Sequence, residues 1–393
     1  MPAFEPFRAV RYAASHDLAA VTAPPYDVLS DADVDELAAR DPHNIVHVDV
    51  PRGGDTRYSA AAITFQDWLA SGDLVVDGEP SFTIYRRRFT DATGRRRELS
   101  GVLGALEVVD ESSGEVLAHE RTTPKASTDR LELTRATHAN LSPVWCLSAY
   151  AGLSGLLDEP GEAVGTLTVD GVEHVVERVT DPDRVDEIRK AVSSTPTLIA
   201  DGHHRYAVSR QYRDERRAEY DEDPGAELTL AFVGELVADQ LSVEAIHRLY
   251  TGVTPDDLAA TLAARFDVEP ADGELTRDVL ARMDRDCRLV LVRPDGWAWL
   301  TPKPGAFDDL RTLDGLWLEE TLGDSSAEVT YQHGLDEVVD AVRTGRASAV
   351  LIRPASVEEI RRTAEEGLLM PPKSTFFTPK LRTGLVIRDL SAG

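Results

Sequence analysis

The run Ala200-Asp201-Gly202-His203-His204-Arg205 gathers a carboxylate, two imidazoles and a guanidinium around one glycine. Those residue types suit a loop that holds a phosphorylated ligand. Thr197-Leu198-Ile199-Ala200 before it reads as a short buried strand, and Tyr206–Arg217 after it as a helix. The run therefore lies at a helix start, where unsatisfied N–H groups and the positive end of the helix dipole attract anions. Gly202 allows close backbone approach. Arg205 offers a fork of donors, and His203 and His204 can also donate. Asp201 is the candidate ligand for Mg²⁺ or for a substrate group, and His204 a candidate catalytic group. An Asp-Gly turn between strand and helix would explain the glycine but not the two histidines beside an arginine. Zinc is a poorer fit: neighbouring residues in extended chain point to opposite faces, and no HExxH or Cys/His spacing is present.

Three other stretches carry chemical groups. Ala118-His119-Glu120-Arg121-Thr122-Thr123-Pro124-Lys125, continuing through Arg130 and Arg135 to Asn140-Leu141-Ser142-Pro143, packs acids, cations and an amide together without clean periodicity. Glu120 is a candidate general base or metal ligand. Lys125, Arg130 and Arg135 are candidate anion clamps, and Asn140 a substrate contact. Near the C-terminus, Met370-Pro371-Pro372-Lys373-Ser374-Thr375-Phe376-Phe377-Thr378-Pro379-Lys380 is too proline-rich for regular helix and holds Lys373 and Lys380, two of only five lysines in the chain. Both are candidate phosphate contacts, although the loop could equally dock its two phenylalanines into a core. Pro24-Pro25-Tyr26-Asp27 is a rigid turn whose Tyr26 and Asp27 could line a cleft.

The elements that must position these residues are mixed. Ser30 should cap a helix over Asp31–Arg40. Ile45–Val50 alternates like a strand, and Tyr58–Ala70 reads as a helix. Ser81–Phe89 and Leu99–Val109 read as paired strands, and Asp170-Gly171 signals a tight hairpin. Residues 118–145 are expected to be irregular, Asp183–Val192 helical and Leu228–Leu236 a strand. Beyond 251 the pattern runs helix (Thr254–Arg265), two strands about Asp295-Gly296, helix (Leu335–Arg343), strand (Ala347–Ile352) and helix (Ser356–Glu366). The expected division is an N-terminal α/β region over 1–150, the region of the His-His-Arg loop over 151–250, and a C-terminal α/β region over 251–393.

Composition narrows the function. The 393 residues are 42% hydrophobic and 28% charged, as in globular proteins. No apolar run approaches the roughly 18 residues of a membrane helix, and the N-terminus lacks a signal-peptide pattern, so a cytoplasmic protein is expected. A net charge of −27 repels nucleic acid and anionic membrane. An anionic ligand would need a local cationic pocket. Cys146 and Cys287 are too far apart in sequence to form a framework.

The runs Ala23–Val28, Ala118–Thr122, Arg135–Pro143, Ala200–Tyr206 and Met370–Leu381 resemble, in order, the hallmark segments of a bacterial and archaeal family known as domain of unknown function 1015. Ala118 departs from the family's usual proline, and Leu141 from its frequent phenylalanine. The family name implies no activity. Asp183–Val192, the strand at 197–200 and the Asp-Gly-His-His-Arg loop are also similar to the core of the ParB/sulfiredoxin superfamily. That resemblance implies a nucleotide-binding α/β core with added N- and C-terminal α/β regions. The superfamily includes CTP-hydrolysing partition proteins, sulfiredoxins and free-serine kinases, the last with a glutamate base.

Together these readings favour a kinase that uses ATP or ADP with Mg²⁺ to phosphorylate a small hydroxylated metabolite such as L-serine. Phosphoryl transfer requires mainly positioning and charge neutralisation, and the absence of GxxxxGK[ST] excludes a P-loop. A nucleotide-hydrolysing regulator is the first alternative. A sulfiredoxin-like redox enzyme is the second, weakened because neither cysteine adjoins the loop in sequence. A homodimer is left open.

Overall fold

The computed structural model describes residues 1–92, 94–120, 125–220, 223–345 and 347–391. It is a mixed α/β protein with two compact units: residues 1–241 together with 379–393, and residues 242–378. Among the described residues, no helix is long and apolar enough to cross a membrane.

In the first unit nine strands form one sheet: β1 (Phe4–Glu5), β2 (Phe82–Thr90), β3 (Arg96–Glu107), β4 (Val116–Leu117), β5 (Val144–Ser148), β6 (Glu162–Val169), β7 (Val172–Val179), β8 (Thr197–Asp201) and β9 (Leu228–Glu235). Their order is β4-β8-β5-β9-β3-β2-β7-β6, with β1 also on β3. Strands from both sides of residue 150 thus share one sheet. The β6–β7 hairpin turns through Asp170 and Gly171, both at positive φ (53° and 74°), as a two-residue turn of this type requires.

Four helices matter for the site: α1 (Arg57–Ser71), α2 (Lys125–Thr137), α3 (Pro182–Val192) and α4 (His203–Glu219). Asp181 caps α3, whose Ile188, Ala191 and Val192 close the core over Phe82, Ile84, Cys146 and Ile199. A second core joins Val10, Tyr12, Phe65 and Trp68 to Leu133 of α2 and Ile387 of the chain's end. Leu131, Val208, Tyr212 and Leu390 form a third cluster, on α2, α4 and the terminal segment.

Two expectations are corrected here. The alternating run Ile45–Val50 is no strand: Val46–Asp49 is a short helix, with Ile45, Val46 and Val48 all buried. Asn44 holds it, its Oδ1 accepting from Val46 N (3.1 Å) and its Nδ2 donating to the Ala20 carbonyl (2.6 Å). Burial on every side removes the benefit of alternation, and tertiary context overrides propensity. The stretch at 118–145, expected to be irregular, contains α2. Its few apolar side chains, Leu131 and Leu133, feed two different cores, so its sequence shows no single stripe.

In the second unit, strands β10 (Ile246–Thr251), β11 (Phe266–Ala271), β12 (Leu289–Arg293), β13 (Gly296–Pro302), β14 (Glu328–His333) and β15 (Ser348–Leu351) make a sheet in the order β11-β13-β12-β15-β10-β14. Helices include Pro255–Leu262 capped by Thr254, Leu335–Arg343, and Val357–Glu365 capped by Ser356. Helices Arg277–Asp286 and Asp314–Leu322 are additional to those read from the sequence.

Candidate functional site

The register between β8 and β5 slips between Ile199 and Asp201: Ile199 faces Cys146, and Asp201 faces Trp145. Such an irregularity redirects the side chain that follows it. Gly202 then takes φ 88° and serves as N-cap of α4, which begins at His203, earlier than the periodicity indicated. His203, His204 and Arg205 therefore stand in a helical first turn, where N–H groups are free of intrahelical partners.

Asp201 is the focus of this turn. Its Oδ1 accepts from Lys380 Nζ at 2.8 Å and its Oδ2 from Arg205 Nη2 at 2.7 Å. Burial would raise its pKa, but Lys380 and Arg205 overcome that and hold the carboxyl well below the usual carboxylate range. Arg205 is buried as well, and its Nη1 donates to the Pro143 carbonyl. Two cations thus share one carboxylate at a helix N-terminus, in a chain whose net charge is −27.

His119 and His203 meet ring to edge, with centroids 4.8 Å apart. His119 is fully buried with Nδ1 at 2.8 Å from the Ile199 carbonyl, so that nitrogen carries the proton. Burial pulls its pKa down to about 4, and that of His203 well below the ordinary value. His203 Nε2 is buried without a hydrogen-bond partner among the described residues. Glu120, half-buried, is one residue beyond the anchored His119, and His204 is half-buried at the second position of α4.

A third group surrounds Arg205. Arg130 donates to the Asp49 carbonyl (2.6 Å) and to Asp129 (2.6 Å), and its guanidinium lies 4.2 Å from the Tyr26 ring. Burial raises the pKa of Asp49 and takes that of Tyr26 to about 12. Asp201, Asp27, Tyr26 and Asp49 all act electrostatically on Arg205. Asn140, whose Oδ1 accepts from Leu230 N at 3.0 Å, helps line a partly open pocket of about 40 Å³ with Asp49, Arg130 and Arg205, more than a single water molecule needs.

Arg87 is a site residue that sequence reasoning missed. It is fully buried, its guanidinium 4.2 Å from the Trp145 ring and 5.1 Å from that of Phe232. Nη1 donates to the Pro379 carbonyl, next to Lys380, while Nε and Nη2 have no partner among the described residues. Burial lowers its pKa to about 10, with Tyr85 and Asp201 opposing. The available signal is an arginine sharing the Thr83-Tyr85-Arg87 face of an alternating strand.

Other residues singled out lie elsewhere or are otherwise engaged. Arg135 binds Glu215 of α4 (2.9 and 2.5 Å) and Glu132, tying α2 to α4. The side chain of Lys125 lies outside the described residues, as do Arg121 and Thr122. Lys373 belongs to the second unit, where its carbonyl accepts from Arg248 Nη1 at 3.0 Å. Cys146, remote from the loop in sequence, is on the strand next to it, but it is fully buried and burial pushes its thiol pKa up. A buried neutral thiol is a poor nucleophile.

The model of the family described as Protein of unknown function (DUF1015) matches residues 4–316, and the chain belongs to that family. No curated protein matches it. Solved structures similar to it include a conserved hypothetical protein from Pyrococcus furiosus (14% identity, 67% of this chain and 87% of that one, TM-score 0.37). Also similar is a free serine kinase in complex with AMP (13%, 67% and 84%, TM-score 0.38). SbnI with C-terminal truncation from Staphylococcus aureus is a third (12%, 71% and 84%, TM-score 0.39).

Proposed function

We propose that this protein is a nucleotide-dependent kinase that phosphorylates the hydroxyl of a small metabolite, with free L-serine the first candidate. The observation that carries this reading is the meeting of Lys380, Arg205 and Asp201 at the N-terminus of α4. Cations at a helix start bind phosphate oxygens and neutralise the charge of a transferring phosphoryl group. Glu120 would take the proton of the acceptor hydroxyl as its oxygen attacks the terminal phosphorus. The bond from that phosphorus to the bridging oxygen breaks, and the shortened nucleotide leaves.

The donor set fits Mg²⁺ only with rearrangement. Mg²⁺ usually takes one or two carboxylates, waters and the phosphates themselves, whereas both oxygens of Asp201 are already bonded to cations. A Mg²⁺ ion held by Asp201 would require Lys380 or Arg205 to move onto phosphate. It would supply charge neutralisation there. A sulfiredoxin-like redox reading loses support from the burial of Cys146.

The test is transfer from labelled ATP or ADP to L-serine and related alcohols. Wild type should transfer, and Glu120→Gln should keep nucleotide affinity while losing roughly 10²–10⁴ in turnover, the usual loss for a general base. Tight nucleotide binding with no transfer to any small hydroxyl compound would sink the kinase reading in favour of a nucleotide-binding regulator.

A further inference from the structure

Away from the phosphate loop, His16, His43 and Asp73 bring three metal-ligating atoms within 4.8 Å of one another. His16 Nε2 is 2.9 Å from Asp73 Oδ1, and His43 Nε2 is 3.4 Å from Asp73 Oδ2. We propose that these three side chains form a site for a borderline divalent transition metal of the zinc class, with a solvent molecule completing the shell. Nothing in the kinase reading uses these residues, so the two stand or fall separately.

The geometry agrees. Ligand bonds near 2.1 Å in a tetrahedral shell put neighbouring donor atoms ~3.4 Å apart, close to the two distances above. The three side chains are only partly exposed, at 13%, 31% and 26%, enough for an ion to enter.

The backbone around them is fixed without any metal. Strand Val10–Tyr12 pairs antiparallel with Leu74–Val76. Ala13 N donates to the Asp73 carbonyl (2.9 Å), and His16 N to the Ala13 carbonyl (3.0 Å). Tyr12 Oη donates to the His43 carbonyl (2.7 Å), and the Trp68 ring packs 5.6 Å from that of His43.

Outer groups stand around two of the three ligands. His43 Nδ1 is 3.5 Å from Asp41 Oδ1 while its Nε2 faces Asp73. With a metal on Nε2, a small approach of Asp41, whose Oδ1 already accepts from the His43 backbone N at 2.7 Å, would give Nδ1–H the outer carboxylate of the carboxylate–histidine–metal pattern. Ser71 Oγ, at 2.5 Å from Asp73 Oδ2, orients the third ligand in the same way.

The experiment is titration of the chelator-stripped full-length protein with Zn²⁺ by calorimetry and with Co²⁺ by visible absorption. The expected result is one equivalent of each, with the strong d–d bands of low-coordinate Co²⁺ and no sulfur-to-cobalt charge transfer. His16→Gln and His43→Gln should abolish the stoichiometric site. Asp73→Asn should likewise remove the stoichiometric site, since it takes away the carboxylate ligand. Cys287→Ser, removing the exposed thiol, should change nothing. Absence of saturable binding, a thiolate charge-transfer band in wild type, or a full equivalent retained in both histidine variants would each overturn the proposal. The first two are read on the wild-type protein, so the proposal stays falsifiable if a variant fails to fold.

Discussion

His119 and His203 lie within the electrostatic reach of Asp201, yet burial keeps both neutral at pH 7. For His119 the ordinary value of 6.5 falls to about 4 in the folded chain. Below pH 6.5 the unfolded chain takes up a proton that the folded one refuses. The stability contributed by this group is therefore complete above pH 6.5 and is lost as pH falls from 6.5 to about 4. At 1.36 kcal/mol per pH unit the loss reaches about 3 kcal/mol. His203 is shifted in the same direction and should steepen the limb. Thermal melts from pH 7.5 to 4.5 should show Tm falling over this window, and His119→Gln should flatten it by up to one proton's worth of slope. Glutamine can still donate to the Ile199 carbonyl but cannot titrate. A variant with the wild-type acid limb would remove His119 from the account.

The loop between β8 and α4 works because its hinge has no side chain. Gly202 sits at φ 88°, and a Cβ there would stand 2.9 Å from the Arg205 guanidinium carbon. Gly202→Ala should cost about 1–2 kcal/mol in backbone strain and also push Arg205 off Asp201. The expected result is a lower Tm and roughly tenfold or greater loss of nucleotide affinity, the scale of one charge-assisted hydrogen bond. Wild-type affinity in calorimetry would show that the loop does not hold the ligand. This element was legible in the sequence because a buried strand, a glycine and a cationic helix start are local signals. The packing of Arg130 beneath Tyr26 was not, because it depends on the helix Val46–Asp49 bringing Asp49 inward, and that helix reads as a strand. The place of Cys146 was hidden for a related reason: strand pairing makes it a neighbour of Ile199 across more than fifty residues of chain. Local pattern reveals what the backbone does within one element, whereas sheet order decides which distant side chains meet.

At the scale of the whole molecule, the second unit is an insertion whose two ends run side by side. Ser242 pairs with Thr378, Val243 with Phe377 and Glu244 with Phe376, and cross-strand partners stand about 5 Å apart. The chain then returns to the first unit, where Thr383 bridges Ala23, Ile387 bridges Val10 and Arg388 pairs with Asn140. Leu381, Leu385, Val386, Ile387 and Leu390 are all buried there. At about 1.5–3 kcal/mol for each large apolar side chain, losing five would remove roughly 7–15 kcal/mol, comparable with the whole stability of a typical domain. Truncation at residue 378 should therefore abolish cooperative folding. Replacing 242–378 with a short Gly/Ser linker should not, since a linker of about four residues spans the gap. That shortened chain should melt cooperatively by circular dichroism. It also keeps Asp201, Arg205 and Lys380, so a nucleotide site built from those three should survive with wild-type affinity. A folded chain with markedly weaker binding would show that Asp201, Arg205 and Lys380 do not suffice to hold the nucleotide.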